Sequence, residues 1–171
     1  HTRPAEGQDR VFQPLHEAVE STLTLLADRV REVTVHRSWG ADDAALIQVG
    51  KIGQILVNLV DNAVRSGART LWLSTARVGS GGADGPGPGV RVAVTIADDG
   101  PGIPDDLRER VFDAFYTTRP AGEGRGLGLY LSRQMAEDHG GTLVARPRAG
   151  GGTTFVLTLP VEPAVAQDPV R

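Results

Sequence analysis

Residues 98–104 read Asp-Asp-Gly-Pro-Gly-Ile-Pro and directly follow an alternating apolar segment that contains Val92, Val94 and Ile96. The alternation predicts a strand with one buried face, and the glycines allow the chain to turn sharply where the strand ends. The Asp98 carboxylate at this point can accept a hydrogen bond from an amino group of a ligand. Asp-Gly and Pro-Gly pairs are also common in ordinary strand-to-helix turns, so this stretch alone is weak evidence for a site.

A second polar cluster, residues 58–63, reads Asn-Leu-Val-Asp-Asn-Ala. It lies in an apolar helical stripe from Ile52 to Val64 that ends at the stop signal Ser66-Gly67. Asn58 and Asn62 are four residues apart and therefore share one face of the predicted helix. Their amide oxygens suit a hard cation such as Mg²⁺ that phosphates also hold. Two polar residues at the edge of an apolar stripe are the simpler interpretation of this cluster by itself.

A third cluster, residues 122–129, reads Gly-Glu-Gly-Arg-Gly-Leu-Gly-Leu and runs into a predicted helix. A glycine-rich segment at a helix N-terminus offers free N–H groups and the positive end of the helix dipole to phosphate. It is not a P-loop, because no Lys followed by Ser or Thr closes it, and no early βαβ unit supports a dinucleotide fingerprint. A flexible lid is the alternative interpretation, and one segment can serve as both lid and phosphate loop.

Helices and strands are interspersed along the rest of the chain. Helices are predicted over residues 14–32, 52–64, 105–111 and 126–139, and strands over 33–39, 45–49, 70–78, 90–97, 142–145 and 153–159. Residues 79–89, rich in Gly and Pro, are typical of a long hairpin loop. Because the elements do not alternate regularly, we expect an α/β two-layer sandwich (α+β). It would be one mixed, mostly antiparallel sheet covered on one face by about three helices, with a lid.

Composition excludes several classes of function. The 171 residues carry a net charge of −3, which suits one ordinary globular domain and argues against nucleic acid as a partner. The chain has no Cys, which excludes disulfides, thiolate chemistry and a cysteine zinc site. No apolar run approaches the roughly 20 residues that span a bilayer, and the first ten residues do not look like a signal peptide. We therefore expect a cytoplasmic domain, and membrane attachment of the full-length protein is left open.

The three clusters, taken together and in this order, resemble the asparagine box and the two glycine boxes of histidine-kinase catalytic domains. Residues 111–119, Val-Phe-Asp-Ala-Phe-Tyr-Thr-Thr-Arg, are similar to the phenylalanine box of that family. Residues 139–142 (His-Gly-Gly-Thr) and 151–155 (Gly-Gly-Thr-Thr-Phe) also match its pattern. The resemblance spans about Phe12 to Pro160. It implies the ATP-binding sandwich of a wider family, which includes type II topoisomerases, mismatch-repair ATPases and heat-shock chaperones.

The resemblance implies roles for individual residues. The Asp98 carboxylate would accept the adenine amino group, with Thr153 supporting it through water. Asn62 would ligate Mg²⁺ with Asn58 beside the metal and the phosphates, so that ATP and Mg²⁺ are the implied cofactors. Together with these two asparagines, Arg65 would contact the reacting phosphates as the third catalytic residue. The implied nucleotide-binding residues surround the base, hinge the lid or face the phosphates: Asp98, Gly100, Gly102, Ile103, Tyr116, Thr117, Thr118, Arg119, Gly124, Arg125, Gly126, Leu127, Gly128, Leu129 and Thr153.

Two positions discriminate among the resembled proteins. ATP-hydrolysing relatives carry a glutamate, the general base for water, where this chain has Asn58. An amide cannot take that proton at neutral pH, so Asn58 favours phosphoryl transfer to a protein acceptor. Arg125 departs from the pattern, because many kinases have a small hydroxyl residue there. Its guanidinium either contacts phosphate or stays solvated.

The chain has four histidines: His1, His16, His36 and His139. The family's acceptor histidine precedes a glutamate and, a turn later, a proline. His16-Glu17 begins this pattern, but Ser21 and Thr22 stand where the proline would fall, so His16 is interpreted as a surface residue. His36 is interpreted as a residue on a strand surface and His139 as a residue at a helix end. We therefore expect the acceptor on a separate dimerisation domain of the same protein.

The function predicted from the sequence is the ATP-binding catalytic domain of a two-component sensor histidine kinase, over residues 11–161 between two short tails. The expected partners are the dimerisation domain and a response regulator; the isolated domain would be monomeric and the full protein a homodimer. A serine kinase of the anti-sigma-factor type and a non-catalytic nucleotide-binding module are the alternatives. The initial helix, the phenylalanine box and the long lid favour the histidine kinase. Residues 117–125 are expected to be ordered only with nucleotide, because no apolar side chain anchors them.

Overall fold

The computed structural model describes residues 9–79, 89–117 and 126–162. The helices and strands in this part of the chain are β1 (Val11–Pro14), α1 (Leu15–Leu25), α2 (Ala27–Val30), β2 (Thr34–Trp39), β3 (Ala44–Ile47), α3 (Val49–Arg65), β4 (Thr70–Val78), β5 (Arg91–Asp98), α4 (Gly128–Asp138), β6 (Thr142–Pro147) and β7 (Thr153–Pro160). Two 3₁₀ helices, Asp105–Leu107 and Arg110–Phe112, lie between β5 and α4.

The main sheet has five strands in the order β2-β4-β5-β7-β6. β2 runs parallel to β4, and every other pair of neighbours is antiparallel. Side chains alternate between the two faces of each strand, and Leu73, Ile96 and Phe155 are paired neighbours on the buried face. The predicted mixed, mostly antiparallel sheet is confirmed.

Helices α1, α3 and α4 pack on one face of this sheet, as predicted, and α2 adds a single turn. The α3 stripe fits a helix of 3.6 residues per turn. It buries six side chains: Ile52, Ile55, Leu56, Leu59, Val60 and Ala63. This helix contacts both α1 and α4 and therefore forms the middle of the helical layer. No helix in the described ranges is long and apolar enough to span a membrane.

Three local features differ from the sequence prediction. The helix expected over residues 14–32 is interrupted at Leu26, so that Leu26 turns into the core while Leu25 remains 73% exposed. Residues 105–112 form two 3₁₀ helices in place of one short helix, because so short a segment has little to offset the cost of helix nucleation. Strand β1 was missed, because Val11 and Phe12 are both exposed and show no alternation.

β1 pairs with β3 as a small second sheet, in which Phe12 faces Leu46. The Leu46 N–H also donates to the Val161 carbonyl, which ties this small sheet to the end of β7. β4 and β5 form the predicted hairpin, with Val78 opposite Arg91. The tip of the predicted hairpin loop, residues 80–88, lies outside the described residues.

Candidate functional site

A pocket of about 430 Å³ opens between α3, the segment that follows β5 and the N-terminus of α4. Its walls come from all three polar clusters of the sequence and from the first residue of β7. The lining residues are Asn58, Asp61, Asn62, Ser66, Asp98, Pro101, Gly102, Ile103, Pro104, Leu107, Val111, Tyr116, Thr117, Gly126, Leu127, Gly128, Leu129 and Thr153. Clusters that are up to 70 residues apart in the chain therefore meet in one cavity.

Asp98 is the last residue of β5, and its side chain is buried at the wall of this pocket with 3% exposure. The Gly100 N–H donates to Oδ1 at 2.8 Å, and the Thr153 N–H is a second backbone donor to the carboxylate. Burial raises the pKa of Asp98, and these two N–H groups offset the increase only in part. An ionised carboxylate has about four acceptor positions. Asp98 therefore keeps acceptor capacity for a ligand that enters the pocket.

Two glycines pack closely against backbone atoms around Asp98. Gly152 has φ +104°, and an added Cβ there would overlap the Asp98 carbonyl oxygen. Gly102 has φ +79°, and its Cβ would lie 3.4 Å from the Gly152 oxygen. The β6–β7 turn and the loop after β5 thus touch through backbone atoms, and only glycine fits at Gly152. Gly100 does not line the pocket, but its N–H holds the carboxylate that does.

The two asparagines of α3 have different surroundings. Asn58 Nδ2 donates to Ser132 Oγ at 3.0 Å and to the Gly128 carbonyl at 3.3 Å, and its Oδ1 accepts from Gln54 Nε2 at 2.9 Å. Asn58 therefore ties α3 to the first turn of α4. Asn62 lines the pocket one turn later, and its side chain makes no hydrogen bond within the described residues. Asn62 is thus the amide that can bind an incoming ligand.

The donor set around Asn62 suits a cation that is shared with a ligand. The described residues hold no group of three or more His, Asp or Glu side chains that could bind a metal ion by themselves. Amide and carboxylate oxygens are ligands that Mg²⁺ accepts, but it usually needs phosphate oxygens and water as well. A magnesium ion here would therefore depend on Asn62 together with the phosphates of a nucleotide.

Arg65 does not line the pocket. Its Nε pairs with Asp61 Oδ2 at 2.9 Å, and Arg29 of α2 pairs with the same carboxylate. Asp61 itself borders the pocket. The Nη groups of Arg65 keep donors that this ion pair does not use, and the phosphate contact expected for Arg65 stays a prediction.

The N-terminus of α4 forms the wall beside Asn58. No side chain caps the first turn of this helix at Leu127, so its free N–H groups and positive dipole end border the cavity. Gly126 has φ +67°, and its carbonyl accepts from the Phe115 N–H at 2.9 Å. The predicted residues that line this wall or its edge are Tyr116, Thr117, Gly126, Leu127, Gly128 and Leu129.

Four predicted site residues lie outside the described residues: Thr118, Arg119, Gly124 and Arg125. The same holds for residues 118–125 of the expected lid, so its order with and without nucleotide stays a prediction.

Several lining residues were not predicted: Asp61, Ser66, Pro101, Pro104, Leu107 and Val111. Leu107 and Val111 carried a usable signal, because they are apolar, four residues apart and next to the glycine box. Ser66 was interpreted only as a helix stop. Its Oγ donates to the Ala63 carbonyl at 2.7 Å, which satisfies one carbonyl of the last helical turn, and the same residue borders the pocket.

None of the histidines in the described residues lines the pocket. His139 lies at the end of α4 as predicted but is buried, and its Nε2 accepts from the Gln48 N–H at 3.2 Å. Burial lowers the pKa of His139, which suits a neutral ring that accepts a hydrogen bond. His36 lies exposed on β2, as predicted, and stacks on Trp72 with ring centroids 5.8 Å apart. His16 is only partly exposed and pairs with the buried Asp43, a contact that no local pattern in the sequence predicts.

The fold and the pocket define an ATP-binding domain of the two-layer sandwich class. Residues 47–163 match the family of histidine kinase-, DNA gyrase B- and HSP90-like ATPases, and the chain belongs to this family. The histidine-protein kinase AfsQ2 of Streptomyces coelicolor is 36% identical over 69% of this chain and 21% of its own length. The sensor protein FixL of Bradyrhizobium diazoefficiens is 33% identical over 91% of this chain and 30% of its own length.

Solved structures show the same relationship. The catalytic domain of histidine kinase ThkA superposes with a TM-score of 0.74 at 25% identity, covering 91% of this chain and 98% of that chain. The mycobacterial sensor histidine kinase MprB gives a TM-score of 0.73 at 23% identity over 91% and 98%, which supports the fold alone. The chain thus has the sequence and structure of the ATP-binding domain of sensor histidine kinases, and it spans 16–21% of the first three curated relatives.

Proposed function

We propose that the domain binds Mg-ATP in this pocket and transfers the γ-phosphate to a histidine on a separate dimerisation domain. The observation that carries the proposal is the arrangement of the pocket. An incompletely satisfied carboxylate lies at the Ser66 end of α3, and an open helix N-terminus lies beside Asn58 at the other end, with the free amide of Asn62 between them. These two ends have the polarity that a base and a triphosphate require.

The Asp98 end suits adenine. The carboxylate accepts from the exocyclic amino group, and Thr153 lies beside it with 5% exposure. Ile103, Leu107 and Val111 supply an apolar wall for the flat face of the base. Burial of such a ring against aliphatic side chains favours binding by about 25 cal/mol for each Å² of apolar surface removed from water.

The α4 end suits the phosphates. The N–H groups around Gly128 and the positive end of the helix dipole favour an anion at this wall. Asn62 would hold a magnesium ion together with phosphate oxygens, and that ion would supply charge neutralisation. The chain itself binds, orients and neutralises, which is what phosphoryl transfer chiefly needs from a protein.

The pocket favours transfer over hydrolysis. An amide such as Asn58 cannot act as a base for water, and its hydrogen bonds to Ser132, Gly128 and Gln54 fix it as a link between helices. None of the described histidines lines the pocket, which supports an acceptor histidine elsewhere in the protein. Both observations support a protein acceptor on another domain.

A solved complex supports one of the proposed partners, a response regulator. The structure of ThkA in complex with the response regulator TrrA matches with a TM-score of 0.70 at 25% identity, over 90% of this chain and 42% of that chain. We infer a response regulator as the partner that receives the phosphate in turn. We also infer a cytoplasmic domain over residues 11–161 that is monomeric in isolation, within a homodimeric full-length protein, with no role for nucleic acid.

The test is incubation of the chain with γ-labelled ATP, Mg²⁺ and a fragment that carries the acceptor histidine. The label should appear on that fragment as an acid-labile, alkali-stable phosphate. An acid-stable phosphoserine would favour the serine kinase of the anti-sigma-factor type. Nucleotide binding without any transfer would favour the non-catalytic module. Either result would contradict the proposal.

The variant Asn62→Ala tests the proposed role of Asn62 as a magnesium ligand. It should weaken ATP binding in the presence of Mg²⁺ by about tenfold and leave adenosine binding unchanged, because only the phosphates share the ion with Asn62. Calorimetry with both ligands measures the difference. Equal losses for the two ligands would place Asn62 in the structure of the site and not at the metal.

A further inference from the structure

Arg148 opens the turn between β6 and β7 and holds that turn at several points. Its N–H donates to the Gly152 carbonyl at 3.0 Å, and its own carbonyl accepts from the Gly151 N–H at 3.0 Å. Its Nη1 donates to the Gly151 carbonyl at 2.8 Å. Its guanidinium carbon lies 3.7 Å from the centroid of the Trp72 ring, which is a close cation–π stack.

Trp72 is a firm support for this stack. It lies on β4 between two paired neighbours, His36 of β2 and Ala97 of β5. Leu71 and Leu73 point into the core, so the alternation of the strand places Trp72 on the sheet face away from the helices. Arg148 therefore fastens the turn to the outer face of the sheet, while the other end of the turn reaches the pocket.

The fastened turn needs such support. Gly150, Gly151 and Gly152 have φ values of +90°, +105° and +104°. A backbone of three consecutive glycines loses more conformational entropy when it is fixed than a backbone of any other residues. The contacts of the Arg148 side chain offset part of that cost. The three glycines cannot do so, because they have no side chains.

The turn ends at the proposed adenine site. Gly152 packs on the Asp98 backbone without room for a Cβ, and its carbonyl lies next to Gly102. The following residue, Thr153, donates its N–H to the Asp98 carboxylate and lines the pocket. A shift of the turn by a few tenths of an ångström would move both the Thr153 donor and the backbone beside the base.

We propose that Arg148 is a positioning residue for nucleotide binding. It stacks on Trp72 and holds the Gly150–Gly152 turn in the place that orients Thr153 and Asp98. The proposal rests on the function proposed above for the pocket. The positive charge of Arg148 also acts on Asp98, since it offsets part of the burial that raises the pKa of this carboxyl.

The decisive comparison is between two arginines of the same hairpin. Arg148→Ala should weaken ATP binding by about fivefold to twentyfold, the range expected from loss of one stacked, hydrogen-bonded guanidinium. Arg146→Ala is the matched control, because Arg146 is exposed on β6 and has no ion pair or ring contact within the described residues. It should leave the affinity within twofold. Calorimetric titration of the whole chain measures both.

Conservative variants separate positioning from general destabilisation. Trp72→Phe keeps a ring for the guanidinium and should retain near-normal affinity, whereas Trp72→Ala should reproduce the loss seen with Arg148→Ala. The double variant Arg148→Ala with Trp72→Ala should bind no more weakly than either single variant, because both remove one contact. Additive losses would contradict a shared role.

Fluorescence supplies a signature that a purely structural role would not give. The chain has two tryptophans, so Trp39→Phe leaves Trp72 as the single reporter. Nucleotide should change its emission when Arg148 is present and not in Arg148→Ala. Unchanged affinity in Arg148→Ala, with a tenfold loss in Asp98→Asn, would overturn the positioning role and leave the proposed function standing. Unchanged affinity in Asp98→Asn would overturn the adenine assignment and the positioning role with it.

Discussion

Two aspartates of this domain are almost equally buried and have opposite surroundings. Asp43, with 2% exposure, accepts from the Thr75 hydroxyl at 2.6 Å, from the His16 N–H at 3.0 Å and pairs with His16 Nδ1 at 2.9 Å. Among the described residues, Asp98, with 3% exposure, accepts only from two backbone N–H groups, and it borders the pocket. The chain itself satisfies the first carboxylate and leaves the second one open.

The pKa values of the two carboxyls move in opposite directions, although burial acts on both in the same way. Burial raises the pKa of both groups. At Asp43 the hydrogen bonds from Thr75 and His16 outweigh burial, and the pKa falls below its ordinary value. At Asp98 the N–H groups of Gly100 and Thr153 do not, and the pKa stays raised. A buried carboxylate that its own chain completes stabilises the fold, and one that is left incomplete is available to a ligand.

The largest effect should follow from removal of the completed carboxylate. Asp43→Ala should lower the free energy of unfolding by about 2–3 kcal/mol, because the buried Thr75 hydroxyl and the His16 donors lose their acceptor. Urea denaturation followed by circular dichroism measures the change. Asp106→Ala, which removes an exposed aspartate, is the control and should change stability by less than about 0.5 kcal/mol.

The affinity for nucleotide, in contrast to stability, should not depend on Asp43. The folded fraction of Asp43→Ala should bind ATP as the unaltered chain does, because Asp43 lies outside the pocket. Equal stability of the Asp43 and Asp106 variants, or a loss of ATP affinity in folded Asp43→Ala, would break the contrast between the two carboxylates.

The second effect concerns the open carboxylate. Asp98→Asn should weaken ATP binding at least about tenfold, or about 1.4 kcal/mol, because an amide presents a donor where the adenine amino group needs an acceptor. Thermal unfolding should show no loss of stability. Asp99→Asn is the neighbouring control, since Asp99 is exposed and accepts from the N–H groups of Arg69 and Thr70. Comparable calorimetric losses for both variants would contradict the adenine assignment.

The same two aspartates show what sequence reasoning can reach. Asp98 was predictable because its signal is local: an alternating strand, then a carboxylate, then glycines. The order of three such clusters along the chain made the fold and most of the pocket predictable as well. Asn62 was predictable for the same reason, since its four-residue spacing from Asn58 on a helix is visible in the sequence.

Asp43 was not predictable, because its partners lie 27 and 32 residues away in the chain and no spacing rule joins them. Arg148 and Trp72 meet across the sheet in the same way, and only the strand register brings them together. The order β2-β4-β5-β7-β6 has to be known before such contacts can be inferred. Local motifs therefore predicted most of the residues that line the pocket, while contacts that depend on strand register required the structure.

The smallest expected effect is the pH dependence of stability, and its sign sharpens the contrast. The pKa of Asp43 is below 3.8 in the folded state, so its contribution to stability is present above 3.8 and is lost as the pH falls through the folded value. The pKa of Asp98 is above 3.8, so its contribution is present below 3.8 and is lost as the pH rises through the raised value. Lowering the pH from neutral should therefore reduce the difference in the free energy of unfolding by which the unaltered chain is more stable than Asp43→Asn. It should also remove the lower stability of the unaltered chain relative to Asp98→Asn. Urea denaturation of the three proteins between about pH 2 and pH 7 covers both windows. Two differences that change with the same sign would show that the carboxylates share one environment, and the distinction between a structural and a ligand-binding aspartate would fail.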